Sequence, residues 1–375
     1  MDAIRLLDLG LVPPIRSQTI YHAVAYALDE NSPDTIILVA PTEPYVCIGF
    51  HQELEKEVDV EYCRAHDLPV VRREVGGGAV YLDKNQVFMQ WIFHWHALPH
   101  EVGDRFALYV KPLVETYHAL GIPADYRPIN DVHVDGRKIG GTGAAQIGQA
   151  QVVVGSLMFD FNFELMSRVL QVASEKMRDK LYQSLNEYMT TMTRQLGHTP
   201  NRDTVVKLYL DKVQTALSRP IVPGEPTARE LALAEELDRQ FTTDEWLYQK
   251  GGLRQVGLQQ ARVKIHQDVR VQEVAHKTPG GLVRVTARLR DGAMDTSAMG
   301  TSATSTSRID DLTLSGDFTM LPKFAPGALE LALRGTALEA KAVEARIVDV
   351  YRSLAIQSPG LTAGDLTDAI MLLAK

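Results

Sequence analysis

The sequence predicts an α/β (α+β) chain in two parts: a mixed sheet flanked by helices over residues 1–252, and a smaller α/β domain over residues 256–375. Three observations lead there. Short β-branched runs alternate with helix-spaced segments through the first half. A Pro/Gly connector at residues 218–226, SRPIVPGEP, sets off the downstream segments. After Gly252 the texture turns to clean alternation, with Val283, Val285, Ala287 and Leu289 on one face and Arg284, Thr286, Arg288 and Arg290 on the other.

From the N-terminus, residues 19–30 place Ile20, Ala23, Val24 and Leu28 on one side of a helix. Residues 35–40 (TIILVA) and 45–50 (YVCIGF) read as buried strands. Residues 53–68 read as one charged surface helix, and the runs either side of the triple glycine at 76–78 as strands. Residues 85–96 form a long strand, and residues 104–122 a helix with Gly121 at its C-terminal cap. Asp135-Gly136 is a hairpin turn signal. Two strands, DVHVDGRKIGG and QVVVGSLMFDF, are joined by TGAAQIGQA as a connection, and helices dominate from 164 to about 217. In the second part Thr278-Pro279-Gly280-Gly281 turns the chain, residues 293–307 read as a mobile Ser/Thr/Ala loop, and residues 326–354 are helical.

Bulk properties exclude some functions. Apolar residues make up 45% and charged residues 23%, the balance of a globular protein. The net charge of −8 argues against a general nucleic-acid partner. The first apolar stretch is broken by Asp8 and Pro13-Pro14, so neither a leader nor a membrane span is expected, and the expected location is the cytoplasm. Two cysteines, Cys47 and Cys63, fit reduced structural thiols. His94, His96 and His100 lack a further ligand set for a metal.

Three consecutive glycines, Gly76, Gly77 and Gly78, sit behind Arg72 and Arg73. Glycine weakens a strand unless something must approach the backbone. On its own this fits either a bulged strand or an anion site. A second segment, residues 128–146, also joins a strand, cations (Arg137, Lys138) and a glycine cluster (Gly140, Gly141, Gly143). Together the two suit a phosphate and an acyl chain enclosed between them.

RREVGGGAVYLD resembles the arginine–triple glycine motif of lipoate–protein ligases in the biotin/lipoate ligase superfamily. INDVHVDGRKIGGTGAA resembles that family's lysine loop, VVVGSLMFDF its next strand, and LTLSGDF with ELALRGTAL its accessory C-terminal domain. The resemblance implies a two-step ligase using ATP and Mg²⁺, with lipoate as substrate. Lipoate is converted to lipoyl-AMP and then transferred to a lysine of an acceptor protein. It implies Lys138 as the catalytic residue. It implies substrate or ATP contacts from Arg73, Gly76, Gly77, Gly78, Val80, Asp83, Gln86, Asn130, Gly141, Thr142, Gly155 and Ser156, with Asp131 as the Mg²⁺ candidate. Arg72, on the other strand face, is expected in a structural ion pair. The implied partner is a lipoyl-acceptor protein: a 2-oxoacid dehydrogenase lipoyl domain, the glycine-cleavage H protein or a related lipoate-binding protein. No nucleic acid and no membrane are expected.

The chain departs from the motif at Leu82 (usually His), Val75 (usually Ser), Gly143 (usually Ala), and Val153 and Val154 (often a His pair). Two alternatives stay open. One is an octanoyl or lipoyl transferase working through a cysteine thioester, whose thiol lies downstream of the lysine loop in such families; no cysteine follows Cys63 here. The other is a degenerate, non-catalytic lipoate- or lipoyl-domain-binding protein.

Overall fold

A computed structural model describes residues 3–249, 269–290 and 307–374. The chain separates into two compact units, Met1–Phe50 with Leu54–Tyr248, and His51–Glu53 with Gln249–Lys375. The loop expected at 293–307 lies outside the described residues except for Ser307.

The first unit opens with strand β1 (Ile4–Val12) and helix α1 (Pro14–Ala27). Pro13-Pro14 marks where the helix starts: proline suits the first helical positions because its missing N–H would have no partner there. The helix therefore begins ahead of the expected residue 19 and is buried on most of its surface. Strands β2 (Thr35–Pro41) and β3 (Tyr45–Ile48) come next as expected, both buried throughout.

The single surface helix expected at 53–68 is two short ones, α2 (Leu54–Glu57) and α3 (Val60–Ala65). Val58 bridges to Leu170, and Asp59 caps α3 by accepting from the Tyr62 N–H at 2.9 Å. That cap breaks the helix and turns Cys63 inward, to 1% exposure.

Strands β4 (Val70–Arg72) and β5 (Val80–Leu82) flank the glycines and pair on either side of β3 as a small sheet. The chain continues through β6 (Gln86–His94), α4 (Val102–Ala119), β7 (Ala124–Arg127), β8 (Asp131–Val134), β9 (Arg137–Ile147) and β10 (Ala150–Met158). Gly121 takes φ +81 just beyond α4, and Asp135-Gly136 takes φ +50 and +79 between β8 and β9, the geometry a tight hairpin demands. TGAAQIGQA is no connection: β9 runs through it to Ile147 and turns at Gly148, φ +56.

Helices α5 (Phe163–Val169), α6 (Glu175–Tyr188), α7 (Met192–Leu196) and α8 (Arg202–Leu217) occupy the expected helical stretch. The Pro/Gly connector contributes β11 (Ile221–Pro223), which pairs parallel to β1, before α9 (Ala228–Phe241) and α10 (Asp244–Leu247).

Among the described residues the main sheet has the order β11-β1-β2-β6-β10-β9-β8-β7, parallel at β11-β1-β2 and antiparallel beyond. Alternation on β6 divides its two faces. Met89 and Trp91 pack toward α4 and α8, where Trp91 Nε1 donates to Tyr209 at 3.0 Å and Tyr109 donates to the Met89 carbonyl. Gln86, Phe88 and Gln90 point to the opposite face. A mixed sheet flanked by helices is thus what the chain forms.

In the second unit β12 (Val269–Thr278), β13 (Gly281–Arg290) and β14 (Arg308–Gly316) make an antiparallel sheet. Val283, Val285, Ala287 and Leu289 are buried, as the alternation requires. The expected long helix is divided into α11 (Ala325–Leu333) and α12 (Ala340–Ser353), with Gly335 at φ +76 between them, and α13 (Ala363–Met371) completes the cover.

Candidate active site

The polar-flanked face of β6 meets the glycine loop across a cavity of about 320 Å³. The main sheet supplies Gln86, Phe88 and Gln90 from β6, Val154, Ser156 and Met158 from β10, and Gly141 and Gly143 from β9. Opposite stand residues 75–82, with Cys47 of β3. Gln18 and Tyr21 of α1 line it too, as do Met166, Leu185, Tyr188 and Met189 of the α5–α7 region.

The glycines are there because backbone approaches backbone. Gly77 has φ +96, a conformation costly for any side chain. A Cβ on Gly49 would lie 1.9 Å from the Gly77 carbonyl oxygen, and one on Gly143 would lie 2.5 Å from Val75 Cγ1. Arg73 fastens the loop: its Nη2 donates to the carbonyls of Gly76 (3.0 Å) and Gly78 (2.9 Å), and its Nη1 to that of Cys47 (3.3 Å). Arg72, fully buried, donates to the carbonyls of Gly49, Phe50, Trp246 and Leu247. Each arginine therefore serves main-chain oxygens.

Lys138 is the second residue of β9, two beyond the hairpin turn at Asp135-Gly136. Its carbonyl accepts from the Thr190 N–H at 2.9 Å, which pins the main chain. Its ammonium forms a 2.7 Å ion pair with Asp131 Oδ1 across the β8–β9 hairpin. Its Nζ and Cε come within 3.0 Å of where a Gly141 Cβ would stand, so glycine there lets the side chain fold back along the strand. Asn130 and Thr142 lock the neighbouring turn: Asn130 Nδ2 donates to the Thr142 carbonyl (2.6 Å), and Thr142 returns its N–H (2.9 Å) and hydroxyl (3.0 Å) to the Asn130 carbonyl. Gly155 is tight for another reason, with Tyr109 3.0 Å and the Gly141 carbonyl 3.1 Å from its missing Cβ.

Of the residues named from sequence, Arg73, Gly76, Gly77, Gly78, Val80, Gln86, Asn130, Lys138, Gly141, Thr142, Gly155 and Ser156 line this one cavity. Asp83 and Asp131 are not in its lining. Asp83 closes a turn, accepting from the Asn85 N–H (2.8 Å) and the Tyr81 hydroxyl (3.0 Å). Asp131 is engaged with Lys138 and stands 3.7 Å from His133 Nε2. Among the described residues no three His, Cys, Asp or Glu side chains come together as a metal cage. The histidines His94 and His96 approach each other, yet His94 is tied to Asp34 at 2.9 Å.

Sequence reasoning missed Gln18, Tyr21, Cys47, Phe88 and Gln90. The available signal was Gln90, a polar residue in the otherwise apolar run VFMQWIF. Cys47 is fully buried, with its sulfur 3.6 Å from Arg73 Nη1. Burial pushes its thiol pKa up, and the Arg73 guanidinium opposes that only in part. Burial likewise raises the Tyr21 phenol, with Cys47 adding to it. Among the described residues no helix is long and apolar enough to cross a membrane.

The family model for the lipoyl protein ligase A/B catalytic domain matches residues 16–214. An octanoyltransferase LipM of Kyrpidia tusciae is 28% identical over 276 residues, 67% of this chain and 100% of its own. A lipoate–protein ligase of Streptococcus pyogenes is 32% identical over 166 residues, 44% of this chain and 48% of its own. Among solved structures, the bipartite lipoate protein ligase of Thermoplasma acidophilum, described with its E2 lipoyl domain, superposes with a TM-score of 0.61 at 25% identity, covering 67% of this chain and 99% of its own. With more than half its length matched by the model, and with relatives named for both ligation and octanoyl transfer, this chain belongs to the lipoyl protein ligase A/B catalytic-domain family.

Proposed function

We propose that the chain is an ATP-dependent lipoate–protein ligase. A carboxylate oxygen of the acid attacks the α-phosphorus of ATP, and pyrophosphate leaves. The lysine amine of an acceptor domain then attacks the acyl carbonyl, and AMP leaves. The observation that carries this is the shared cavity: one ammonium, Lys138, and one glycine ledge line the same apolar space.

Each part has a task. A free carboxylate is a poor acyl donor, so its oxygen must become part of a leaving group, and two anions must be held together. Lys138 neutralises the charge that grows on the acyl oxygen and α-phosphate, while Asp131 holds the ammonium in place. With the Gly76 and Gly78 carbonyls taken by Arg73, the trans peptide planes turn the N–H groups of Gly77 and Ala79 away from the guanidinium. Val75, Leu82, Phe88, Met158 and Phe161 keep water from the mixed anhydride. Mg²⁺ would arrive on the nucleotide's phosphates, where it would screen their charge, and Asp131 is the carboxylate that would hold it. The acceptor is a lipoyl-type domain, and residues 256–375 are the accessory domain.

One observation favours a second reading, acyl transfer between carrier proteins through Cys47. That thiol lines the cavity beside Arg73. Against it, burial holds the sulfur protonated, and the thiolate is the nucleophile. Purified protein with ATP, Mg²⁺, lipoate and a panel of acceptor domains, read by intact mass, separates the two. The ligase adds one lipoyl group in an ATP-dependent way and retains that activity as Cys47→Ala. Transfer from an octanoyl carrier without ATP, lost in Cys47→Ala, establishes the transferase instead.

A further inference from the structure

The cavity has two chemically different ends. On β10, Met158 faces Gln86 and Val154 faces Gln90 of β6. On β9, Thr142 faces Gly155, and Lys138 lies four residues further toward the Met158 end. Gln90 is therefore at the opposite end from Lys138, about 13 Å along β6 from Gln86 at a strand's usual rise. If Lys138 attends the carboxylate, as the proposed function has it, the tail of the acid reaches Gln90.

That end carries an acceptor with nothing to accept. Gln90 is 1% exposed, and its Nε2 donates to the Ser17 carbonyl at 2.8 Å. A carbonyl can only accept, so the amide's orientation is fixed. Its Oε1 then has no partner. The neighbouring donors point elsewhere: Gln18 Nε2 donates to the Tyr45 hydroxyl (2.6 Å), and the Tyr21 hydroxyl to Gln18 Oε1 (3.4 Å). A buried, unpaired amide oxygen is costly, and a ligand that brings a donor recovers that cost.

A saturated acyl tail brings no donor. Nor does a closed dithiolane ring, whose sulfurs only accept. The open, dithiol form carries two S–H donors. We propose that Gln90 Oε1 accepts a hydrogen bond from a thiol at the tail of the acyl group, so that the cavity selects the reduced, dithiol acid over the oxidised ring and the sulfur-free acid. This is a specificity role for Gln90.

The test is direct binding of dihydrolipoate, lipoate and octanoate to the full chain by anaerobic calorimetry, with pyrophosphate release from ATP measured in parallel. Dihydrolipoate is expected to bind about five- to tenfold tighter than either of the others, the scale of one recovered hydrogen bond. Gln90→Met should level the three. Equal affinities in the native chain, meaning that water already satisfies Oε1, or tighter binding of lipoate or octanoate, overturn the proposal. The native ranking decides even where the variant fails to fold. Discrimination without pyrophosphate leaves this inference standing and removes the ligase reading; pyrophosphate without discrimination does the reverse. Absence of any binding removes both.

Discussion

Lys138 and Arg73 are both cations beside glycines, yet their neighbours give them different work. Lys138 has one carboxylate partner and stays exposed enough to meet a ligand, at 29% for its side chain. Arg73 spends its donors on three main-chain carbonyls, so it shapes the loop more than it offers charge. Arg73→Lys therefore tests a fork against a point charge. A single ammonium does not span the same three acceptors, and each lost charge-assisted bond costs about 1.5–3 kcal/mol. The variant should unfold about 2–4 kcal/mol more easily in urea and bind acid more weakly; unchanged stability rejects the fastening role. Asp131→Asn leaves Lys138 without its counter-charge. It should slow adenylate formation roughly tenfold, the equivalent of about 1.4 kcal/mol, with the melting temperature little changed. An unaltered rate would show that Asp131 does not position the ammonium.

The glycine loop and β9 form a fitted pair of elements, and two motif departures that looked independent in the sequence explain each other. Val75 stands where serine is usual and Gly143 where alanine is usual. A Cβ on Gly143 would sit 2.5 Å from Val75 Cγ1, so the larger residue on the loop requires the smaller one on the strand. Gly143→Ala alone should cost about 1–3 kcal/mol through overpacking. In a Val75→Ser background it should cost little, giving a coupling of about 1 kcal/mol or more in a double-mutant cycle. Additive effects would reject the fit. At this scale the sequence was partly legible. Asp135-Gly136 and Gly121 act through their own backbone angles, so local chemistry was enough to read them. The break at Val58-Asp59 and the strand at Ile221–Pro223 depend on distant partners, Leu170 and β1, which no local pattern announces.

Across the whole molecule, the second unit carries a pH dependence of its own. Glu330 of α11 is held by the Leu314 N–H at 2.8 Å, and burial pushes its carboxyl up to about 7 from an ordinary 4.5, with Asp311 and Glu53 adding to the rise and Arg334 and the Leu314 bond opposing it. Between those two values the folded state holds a proton that the unfolded chain releases. Stability of the second unit therefore falls as pH rises from about 4.5 to 7, by up to roughly 3 kcal/mol. Thermal melts of Glu330→Gln, which keeps an acceptor for Leu314, should lose that slope; an unchanged slope would assign the effect elsewhere. The same scale shows what sequence reading reaches. Motif residues converged on one cavity because backbone approach demands glycine wherever the chain lies. Asp83 and Asp131 fell outside its lining, and Gln18, Tyr21 and Gln90 were found only once α1 and β6 were folded against each other.

The ligase chemistry rests above all on single-turnover formation of acyl-adenylate, with ATP and acid but no acceptor, compared among native chain, Cys47→Ala and Lys138→Ala. Adenylate and pyrophosphate are expected from the first two, with a loss of at least about 10²-fold in the third, the scale of removing one group that stabilises developing charge. Equal adenylate from folded Lys138→Ala, or none from the native chain, would contradict it.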